Sequence, residues 1–376
     1  MTSLNGLIRY IFTAGFVFLL LPVAVLANSY QVSQVAVGLG VPWGMTFLSN
    51  SEILFTERQG RLGTVNLDSG DVDYLSGLPT ILVKGQGGLM DVAKPANYKA
   101  GDWLYFSYVK PFKNYGETTL ARAHVSHEGV VDWQDLLITN SLEPSDKHYG
   151  SRIAFDETHV YFSVGDRGHR PNAQDLSTHA GSIIRLNLDG SIPEDNPFVG
   201  NMEALNEIWS YGHRNPQGLV WDGVNQRLWS IEHGPRGGDE INLIEKGKNY
   251  GWPIISYGKE YWLPLAVGEG THKEGMEQPI KIYTPSIAPG SLLLYTGEAF
   301  PRWQGSLFAG ALKLHHINRI ELDGNGVAIA EERLFENLNE RVRALLQGPE
   351  GWIYFSTDNG NIYRIQPLSA TSNNLI

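Results

Sequence analysis

One histidine lies in a segment that could support proton transfer. His148 stands within residues 146–152 (DKHYGSR), among charged and small side chains. Histidine is the usual general base near neutral pH because its unperturbed pKa is about 6.5. The chain has 11 histidines, and a lone histidine is more often structural than catalytic. The segment therefore offers a candidate base, and a structural histidine is the alternative.

A second group of residues could hold a hard metal ion. Residues 232–242 (EHGPRGGDEIN) and 247–253 (GKNYGWP) combine carboxylates with backbone carbonyls that glycine leaves accessible. Oxygen ligands of this kind suit Ca²⁺. A solvated charged loop explains the same composition equally well.

Several cationic side chains could together bind a small polyanion. Arg341 and Arg343 alternate, so a strand would point both guanidiniums to one face, where they need an anion. A solvated surface strand is the alternative. With Arg214 and Lys313 they would form a cationic pocket suited to carboxylates. The glycine-rich segment 84–91 (KGQGGLMD) lacks the ending of a phosphate-binding loop and is predicted to be a turn.

The composition limits the classes of protein that can carry these residues. The chain has 376 residues, of which 42% are hydrophobic and 18% charged, so it can bury a sizeable core and is not globally disordered. Its formal net charge of −11 argues against binding to nucleic acid or to an anionic membrane. The absence of cysteine excludes disulfide scaffolds, thiolate zinc sites and Fe–S clusters. The 42 glycines and 11% aromatic residues point to an all-β chain.

The N-terminal segment has the features of a signal peptide. Arg9 is followed by an almost wholly apolar run, residues 11–26, and Ala27 is a small residue suited to cleavage. The run is shorter than the roughly 20 residues of a membrane span, and an uncleaved anchor is the alternative. We therefore expect a signal peptide at residues 1–27, a mature chain at 28–376 without an integral membrane span, and a periplasmic or secreted location.

A short apolar and aromatic strand motif recurs six times along the chain. Its copies are Ile53–Thr56, Leu104–Ser107, Val160–Ser163, Leu228–Ser230, Leu307–Ala309 and Ile353–Ser356. Most copies follow another strand-like run, and several precede a third run that ends in an Asp-Gly type of turn, as in antiparallel sheets. The repeat predicts an all-β, six-bladed β-propeller, whereas a pair of β-sandwiches does not explain the repeated order. Wide gaps around the fourth copy predict long insertions in blades four and five, which would form the active-site face.

Taken together, these motifs resemble the soluble, pyrroloquinoline quinone (PQQ)-dependent aldose sugar dehydrogenases, which are related to soluble glucose dehydrogenase. The segments that carry the resemblance are 85–91 (GQGGLMD), 148–152 (HYGSR), 173–176 (AQDL), 208–218 (IWSYGHRNPQG), 232–242, 247–253, 310–313 (GALK) and 341–343 (RVR). They follow one another in order over nearly the whole chain after the leader. The family fold is a six-bladed propeller, which agrees with the blade count that the repeat predicts.

The resemblance implies a role for individual residues. His148 would be the base that removes the proton from the sugar C1 hydroxyl. The residues implied to hold PQQ and its carboxylates are Gln86, Arg214, Asn215, Tyr261, Lys313, Arg341 and Arg343. The backbone carbonyls of Gly234 and Pro235 would bind an active-site Ca²⁺. The ligands implied for a second, structural Ca²⁺ are Glu240, the Tyr250 carbonyl and Glu260.

The reaction that the resemblance implies is the oxidation of an aldose at C1 to the lactone. The hydride would pass to PQQ, Ca²⁺ would polarise the quinone carbonyl, and the electrons would leave to an external acceptor. Some relatives have an acidic residue directly before the base, whereas Lys147 stands there in this chain. Its charge should lower the pKa of His148. Asp166 is the candidate carboxylate that orients His148.

Two other functions remain open from the sequence. A Ca²⁺-dependent propeller hydrolase acting on lactones or esters needs a central metal held by side-chain carboxylates, and it has no use for four cations around an anion. A non-catalytic binding propeller explains the fold but leaves the convergence of Arg and Lys without a purpose. The aldose dehydrogenase is therefore the leading hypothesis.

Overall fold

Six antiparallel sheets of four strands each make up the structure, a computed structural model that describes residues 30–368. The predicted signal peptide at residues 1–27 lies outside the described residues. The sheets follow one another along the chain as the blades of a β-propeller. The predicted six-bladed β-propeller is therefore confirmed.

The strand bounds show how the blades follow the chain. Strand β1 spans Tyr30–Ala36. Blade one contains β2 Pro42–Ser49, β3 Glu52–Glu57, β4 Arg61–Asn66 and β5 Val72–Leu75. Blade two contains β6 Leu89–Ala93, β7 Leu104–Phe112, β8 Tyr115–Ser126 and β9 Gly129–Ile138. Blade three contains β10 Ile153–Phe155, β11 His159–Val164, β12 Ser182–Asn187 and β13 Ile208–Tyr211.

The second half of the chain repeats this order. Blade four contains β14 Pro216–Asp222, β15 Arg227–Glu232, β16 Asp239–Ile244 and β17 Lys281–Tyr283. Blade five contains β18 Pro289–Leu294, β19 Leu307–Ala311, β20 Ile317–Leu322 and β21 Ala328–Leu334. Blade six contains β22 Val342–Gln347, β23 Ile353–Thr357 and β24 Ile362–Pro367, together with β1. Short 3-10 helices span Arg170–Gln174, Pro301–Trp303 and Glu336–Leu338.

The ring of blades closes between the two ends of the described chain. Strand β1 pairs with β24, and the register places Tyr30 opposite Pro367 and Val32 opposite Ile365. The N-terminal strand is therefore the outer strand of the last blade, so separation of the blades requires this sheet to break.

The six copies of the sequence motif are the second strands of the six blades. These strands lie inside each sheet and are covered on both faces, which explains their near-continuous apolar character. In blade one, for example, Ile53, Leu54 and Phe55 are fully buried. The core lies between neighbouring sheets, as where Trp229 of blade four packs in one cluster with Leu307 of blade five.

The long connections lie in blades three and four, so the prediction is right for blade four and wrong for blade five. They are residues 188–207 between β12 and β13 in blade three, and 245–280 between β16 and β17 in blade four. Blade five was predicted in place of blade three because the interval between two second strands contains the outer half of the earlier blade. The described part of the chain contains no helix long and apolar enough to cross a membrane.

A buried arginine ties the inner ends of several blades together. Arg152 precedes β10 and forms an ion pair of 2.9 Å with Asp91 of β6. Its guanidinium also donates to the carbonyl of Gln217 at 2.8 Å, to that of Gly290 at 2.6 Å and to that of Arg343 at 3.0 Å. Five blades thereby meet at one guanidinium, which fixes the backbone under the candidate site.

Candidate active site

His148 lies in a strained turn just before blade three begins. Its backbone has a φ of 56°, a left-handed conformation that is uncommon for residues other than glycine. The His148 backbone N–H donates to Gln86 Oε1 at 2.7 Å, and the imidazole Nδ1 lies 2.6 Å from Asp166 Oδ1. Such strain persists where surrounding contacts enforce it, and here they fix the ring direction.

Every oxygen of the Asp166 carboxylate is engaged. Besides His148, Oδ1 accepts the Gly168 N–H at 2.7 Å, and Oδ2 accepts the indole N–H of Trp252 at 2.8 Å. An ionised carboxylate accepts hydrogen bonds only, so His148 carries its proton on Nδ1 and leaves the lone pair on Nε2. Asp166 thus plays the orienting role expected of it, and Nε2 can accept a proton.

The environment keeps the imidazole neutral and the carboxylate charged. Burial lowers the pKa of His148, and the charges of Arg214 and Lys147 lower it further, while the hydrogen bond to Asp166 opposes them. Burial alone would raise the pKa of Asp166, but His148, Arg214 and the Gly168 N–H outweigh it, and that pKa is lowered. The expected effect of Lys147 on the pKa of His148 is present and is smaller than that of burial.

Arg214 presents a buried cation without a carboxylate partner. Its backbone N–H donates to Glu232 at 2.6 Å, which fixes the turn between β13 and β14. Arg214 is only 8% exposed. Its guanidinium donates to the His233 carbonyl at 3.0 Å and to the Tyr261 hydroxyl at 3.3 Å. Among residues 30–368 no carboxylate forms an ion pair with it. An anionic ligand would supply the missing charge.

Arg341 and Arg343 point to the same side, as predicted, but the anion between them belongs to the chain. Arg343 donates from Nε and Nη2 to Asp358 at 2.8 and 3.0 Å. Arg341 Nε donates to the same carboxylate at 2.9 Å, and its Nη1 donates to the Leu312 carbonyl. Burial would raise the pKa of Asp358, but the two arginines outweigh it and lower that pKa. The arginine pair is therefore neutralised in part before any ligand binds.

One cavity brings several predicted residues together. Its lining includes Gln86, Asn215, Arg341, Arg343 and Asp358, with Trp43 and Tyr149 as aromatic walls. Lys313 is exposed and does not line this cavity, although its neighbour Leu312 does.

A second, smaller cavity adjoins the first, and the two share His233. Burial lowers the pKa of His233 to about 3, so it is neutral. The predicted metal ligands that line the small cavity are Gly234, Pro235, Glu240 and Tyr250. Burial and the neighbouring Glu232 carboxylate raise the pKa of Glu240.

Glu260, predicted as a ligand of the structural Ca²⁺ together with Glu240 and Tyr250, is engaged elsewhere. Its two oxygens accept hydrogen bonds from Arg170 at 2.7 and 2.8 Å. Within residues 30–368 no three His, Asp or Glu side chains converge as a metal-binding group. A Ca²⁺ ion in the small cavity would therefore depend largely on backbone carbonyls.

Three residues of the site were not found from the sequence. Glu232 and Trp252 lie inside segments that were singled out, but as possible metal loops rather than as supports of Arg214 and Asp166. Asp358 follows β23 and belongs to no recognisable motif. Only its place in the same sheet as Arg343 could have pointed to it, because β22 and β23 are neighbours.

The order of these segments along the chain matches a known family. The family model for glucose / sorbosone dehydrogenase matches residues 39–364. The chain belongs to this family. It is 35% identical over 369 residues to the aldose sugar dehydrogenase YliI of Escherichia coli K12, covering 93% of this chain and 98% of that protein. Members named in this way are oxidoreductases that act on a CH–OH group of sugars.

Solved structures agree with the family assignment. The apo-form crystal structure of the soluble aldose sugar dehydrogenase of Escherichia coli is 33% identical, with a TM-score of 0.85, and the match covers 90% of this chain and 99% of that one. The PQQ-bound aldose sugar dehydrogenase of Streptomyces coelicolor is 25% identical, with a TM-score of 0.75 and coverage of 90% and 98%. Membership of a family of sugar oxidoreductases argues against the two alternatives, a Ca²⁺-dependent hydrolase and a non-catalytic binding propeller.

Proposed function

We propose that this protein oxidises aldose sugars at C1 to the lactone, with PQQ as the bound hydride acceptor and Ca²⁺ as a second cofactor. The electrons leave to an external acceptor, and the protein acts in the periplasm or outside the cell after removal of its signal peptide. The observation that carries the proposal is the buried Arg214 guanidinium, which meets no carboxylate of the described chain and lies beside a candidate base. A related enzyme has been solved with PQQ bound, which supports the choice of cofactor.

The residues of the large cavity fit a flat molecule with three carboxylates. Arg341 and Arg343 supply cationic donors from this cavity, and Arg214 supplies one from the adjoining small cavity. Gln86 and Asn215 supply neutral polar groups. When bound, PQQ supplies an electrophilic quinone that accepts the C1 hydride. The Arg343 guanidinium keeps Asp358 as a partner, so it binds a ligand carboxylate with the donors that Asp358 leaves.

Proton removal falls to His148. Its Nε2 accepts the proton of the C1 hydroxyl, because Nδ1 already donates to Asp166. The ionised Asp166 then stabilises the imidazolium that forms, and the indole of Trp252 holds that carboxylate in place. A positioned base of this kind contributes about 10²- to 10⁴-fold to the rate.

The small cavity fits a hard cation. Gly234, Pro235 and Tyr250 offer backbone carbonyls. Glu240 offers a carboxylate whose charged form is destabilised by burial and by Glu232, and a bound cation would offset this destabilisation. Calcium prefers such oxygen ligands. Glu260 becomes a ligand only if its ion pair with Arg170 opens.

Reconstitution tests the proposed function. The purified protein is treated with EDTA, supplied with PQQ and Ca²⁺ separately and together, and assayed with a panel of aldoses and a dye acceptor. We expect sugar oxidation only when both are present, and a higher melting temperature with Ca²⁺ because it binds the folded state. Full activity and unchanged melting after exhaustive chelation would exclude the role of Ca²⁺. Lactone hydrolysis without sugar oxidation would refute the proposed reaction.

A further inference from the structure

The two faces of the propeller differ in charge. In blade one, Arg58 comes directly after the second strand and lines the large cavity, and in blade six Asp358 does the same. The loops that follow second strands therefore lie on the face of the candidate site. Because neighbouring strands run antiparallel, the loops that join first to second strands begin on the opposite face, as do the connections from third to fourth strands.

The opposite face is acidic. Three of its segments, residues 67–71, 156–158 and 188–196, contain seven acidic residues and no basic one. Exposed cations such as Lys99 and Arg302 are few there. The chain has a net charge of −11, and its acidic excess is therefore pronounced on the side away from the candidate site.

The face of the candidate site carries exposed cations instead. They form a group that we call the cation ring, which consists of Arg58, Lys84, Lys113, Lys147, Arg236 and Lys313. The members come from blades one to five, and all are exposed except the first, which is half-buried. Within residues 30–368 none of them forms an ion pair with a carboxylate, whereas the nearby Lys110 is paired with Asp135 at 2.6 Å.

The cation ring lies close to both cavities. Arg58 lines the large cavity itself. Lys313 and Arg236 each follow directly on a residue that lines one of the cavities, and Lys84 and Lys147 each stand two residues before one. This acidic protein thus places uncompensated positive charge around its candidate site.

The sixth member, Lys113, is held beside the others. It lies at the tip of the β7–β8 hairpin. The ammonium of Lys84 donates to the carbonyl of Asn114, the next residue of that tip, at 3.2 Å. The two lysines therefore occupy one part of the surface.

A charge distribution of this kind acts on a partner before contact. A partner with negative charge is attracted to the cavity face and repelled by the opposite face, which raises the rate of productive encounter. An aldose is uncharged and gains nothing from this field. Bound PQQ serves many turnovers, so its rate of arrival does not limit them. Of the reactants in the proposed function, the external electron acceptor is the one that benefits.

We propose that the cation ring is the docking surface for an electron-carrying protein with an acidic patch. This inference rests on the proposed function and names the class of its acceptor. A protein surface can meet cations on five blades at once, whereas a small oxidant cannot. Oxidation of one aldose to the lactone yields two electrons and two protons. Two one-electron carriers take the electrons in turn, and the protons pass to solvent.

Cytochrome c and its succinylated form test the sign of the charge. Succinylation replaces the lysine charges of this basic protein with carboxylates and keeps the haem. Calorimetry at low ionic strength measures the binding of each ferric form to the protein supplied with PQQ and Ca²⁺ but no sugar. Stopped-flow absorbance then measures haem reduction with an aldose that the protein oxidises. We expect the succinylated form to bind more tightly and to be reduced faster, and both advantages to fade with salt, which screens exposed charges beyond about 10 Å at 0.1 M.

Two variants with the same change of net charge locate the surface. Lys84→Glu/Lys113→Glu reverses two charges of the cation ring, and Lys99→Glu/Arg302→Glu reverses two exposed charges in loops that join first to second strands. At low salt the first variant should reduce succinylated cytochrome c about tenfold more slowly than the wild type, and the second at the wild-type rate. The rate at which the aldose reduces bound PQQ should be unchanged in both.

Several results would overturn the proposal. Equal effects of the two variants would show that net charge matters and the cavity face does not. Faster reduction of unmodified cytochrome c would reverse the sign of the partner. With ferricyanide as a third acceptor, a loss of rate for this anion alone would assign the cation ring to a small oxidant. If the loaded wild type oxidises no aldose, the proposed function is wrong, but the calorimetric titration with succinylated cytochrome c still decides the docking surface separately.

Discussion

The two sides of the candidate active site are built differently. The base side (His148, Asp166 and Trp252) uses its hydrogen bonds within the chain and leaves one atom, His148 Nε2, for chemistry. The arginine side (Arg341, Arg343 and Asp358) holds an internal carboxylate where a ligand carboxylate would also bind. The first arrangement fixes a tautomer, and the second keeps cations together before the ligand arrives.

This difference separates two kinds of effect. Changes on the base side should alter the rate and leave the cofactor in place, because they act on a proton. Changes on the arginine side should alter the affinity for PQQ, because they act on charge. Each of the following predictions tests that separation.

The largest effect is expected for Asp166→Asn. An amide can donate to Nδ1 of His148, which would move the ring proton to Nε2 and remove the acceptor. The kcat should fall about 10²- to 10⁴-fold, while the affinity for PQQ stays that of the wild type. Steady-state kinetics and a PQQ titration measure the two quantities. Asp73→Asn, at an exposed position of the first blade, is the control, and a kcat near that of the wild type would separate Asp166 from the mechanism.

Arg343→Ala should have the next largest effect, and on affinity. It removes a charge-assisted contact worth about 1.5–3 kcal/mol, or about ten- to a hundredfold in the Kd for PQQ. Arg343→Lys should restore only part of the affinity, because an ammonium cannot form the bidentate pair. Calorimetric titrations at fixed Ca²⁺ compare the three proteins, and equal affinities would remove this strand from the cofactor site.

Asp358→Asn should lower stability rather than rate. The arginine pair would lose its anion, and the free energy of unfolding at pH 7 should fall by about 1–2 kcal/mol. Because the pKa of Asp358 is lowered in the folded protein, its contribution is present above the unfolded pKa of about 3.9 and is lost as the pH falls through the folded pKa. The gap to the wild type should therefore narrow in acid. PQQ should raise the melting temperature of the variant more than that of the wild type, because its carboxylates would supply the charge that the variant has lost. An equal rise would show that the arginine pair does not bind the carboxylates of the ligand.

The smallest effect is expected for Lys147→Gln. Activity needs neutral His148, so kcat/KM is lost as the pH falls through the folded pKa, which burial, Arg214 and Lys147 lower. Without the lysine charge that pKa rises, and the acid limb should move to slightly higher pH. Lys99→Gln, remote in sequence and exposed, should leave the profile unchanged. If the acid limb moved to lower pH instead, the assigned effect of Lys147 on the pKa of His148 would be wrong in sign.

The sequence predicted the fold better than the site. The six strand motifs were enough to predict the number of blades. Each motif is the buried second strand of a blade, and burial of that strand requires its apolar residue pattern. One of the two long insertions was placed in blade five instead of blade three, because that pattern marks strands and not blade boundaries.

Site residues whose role depends on distant partners escaped prediction. Glu260 was matched to a metal site, yet Arg170, distant in sequence, engages both its oxygens. Arg341 and Arg343 were expected to be paired only by a ligand, but both donate hydrogen bonds to Asp358, which follows the neighbouring strand. Lys313 lies in the expected segment, and the sequence could not tell that its side chain faces solvent. His148 and Asp166 were found because a motif and a nearby loop carry them.

Single-turnover absorbance with His148→Ala tests the central claim most directly. Wild type and variant are loaded with one equivalent of PQQ and with Ca²⁺, and an aldose is added without any external acceptor. We predict that both bind PQQ with the same affinity, that the wild type reduces it, and that the variant does so about 10²- to 10⁴-fold more slowly. Reduction at the wild-type rate in His148→Ala, or loss of PQQ from it, would contradict the division between the base side and the arginine side.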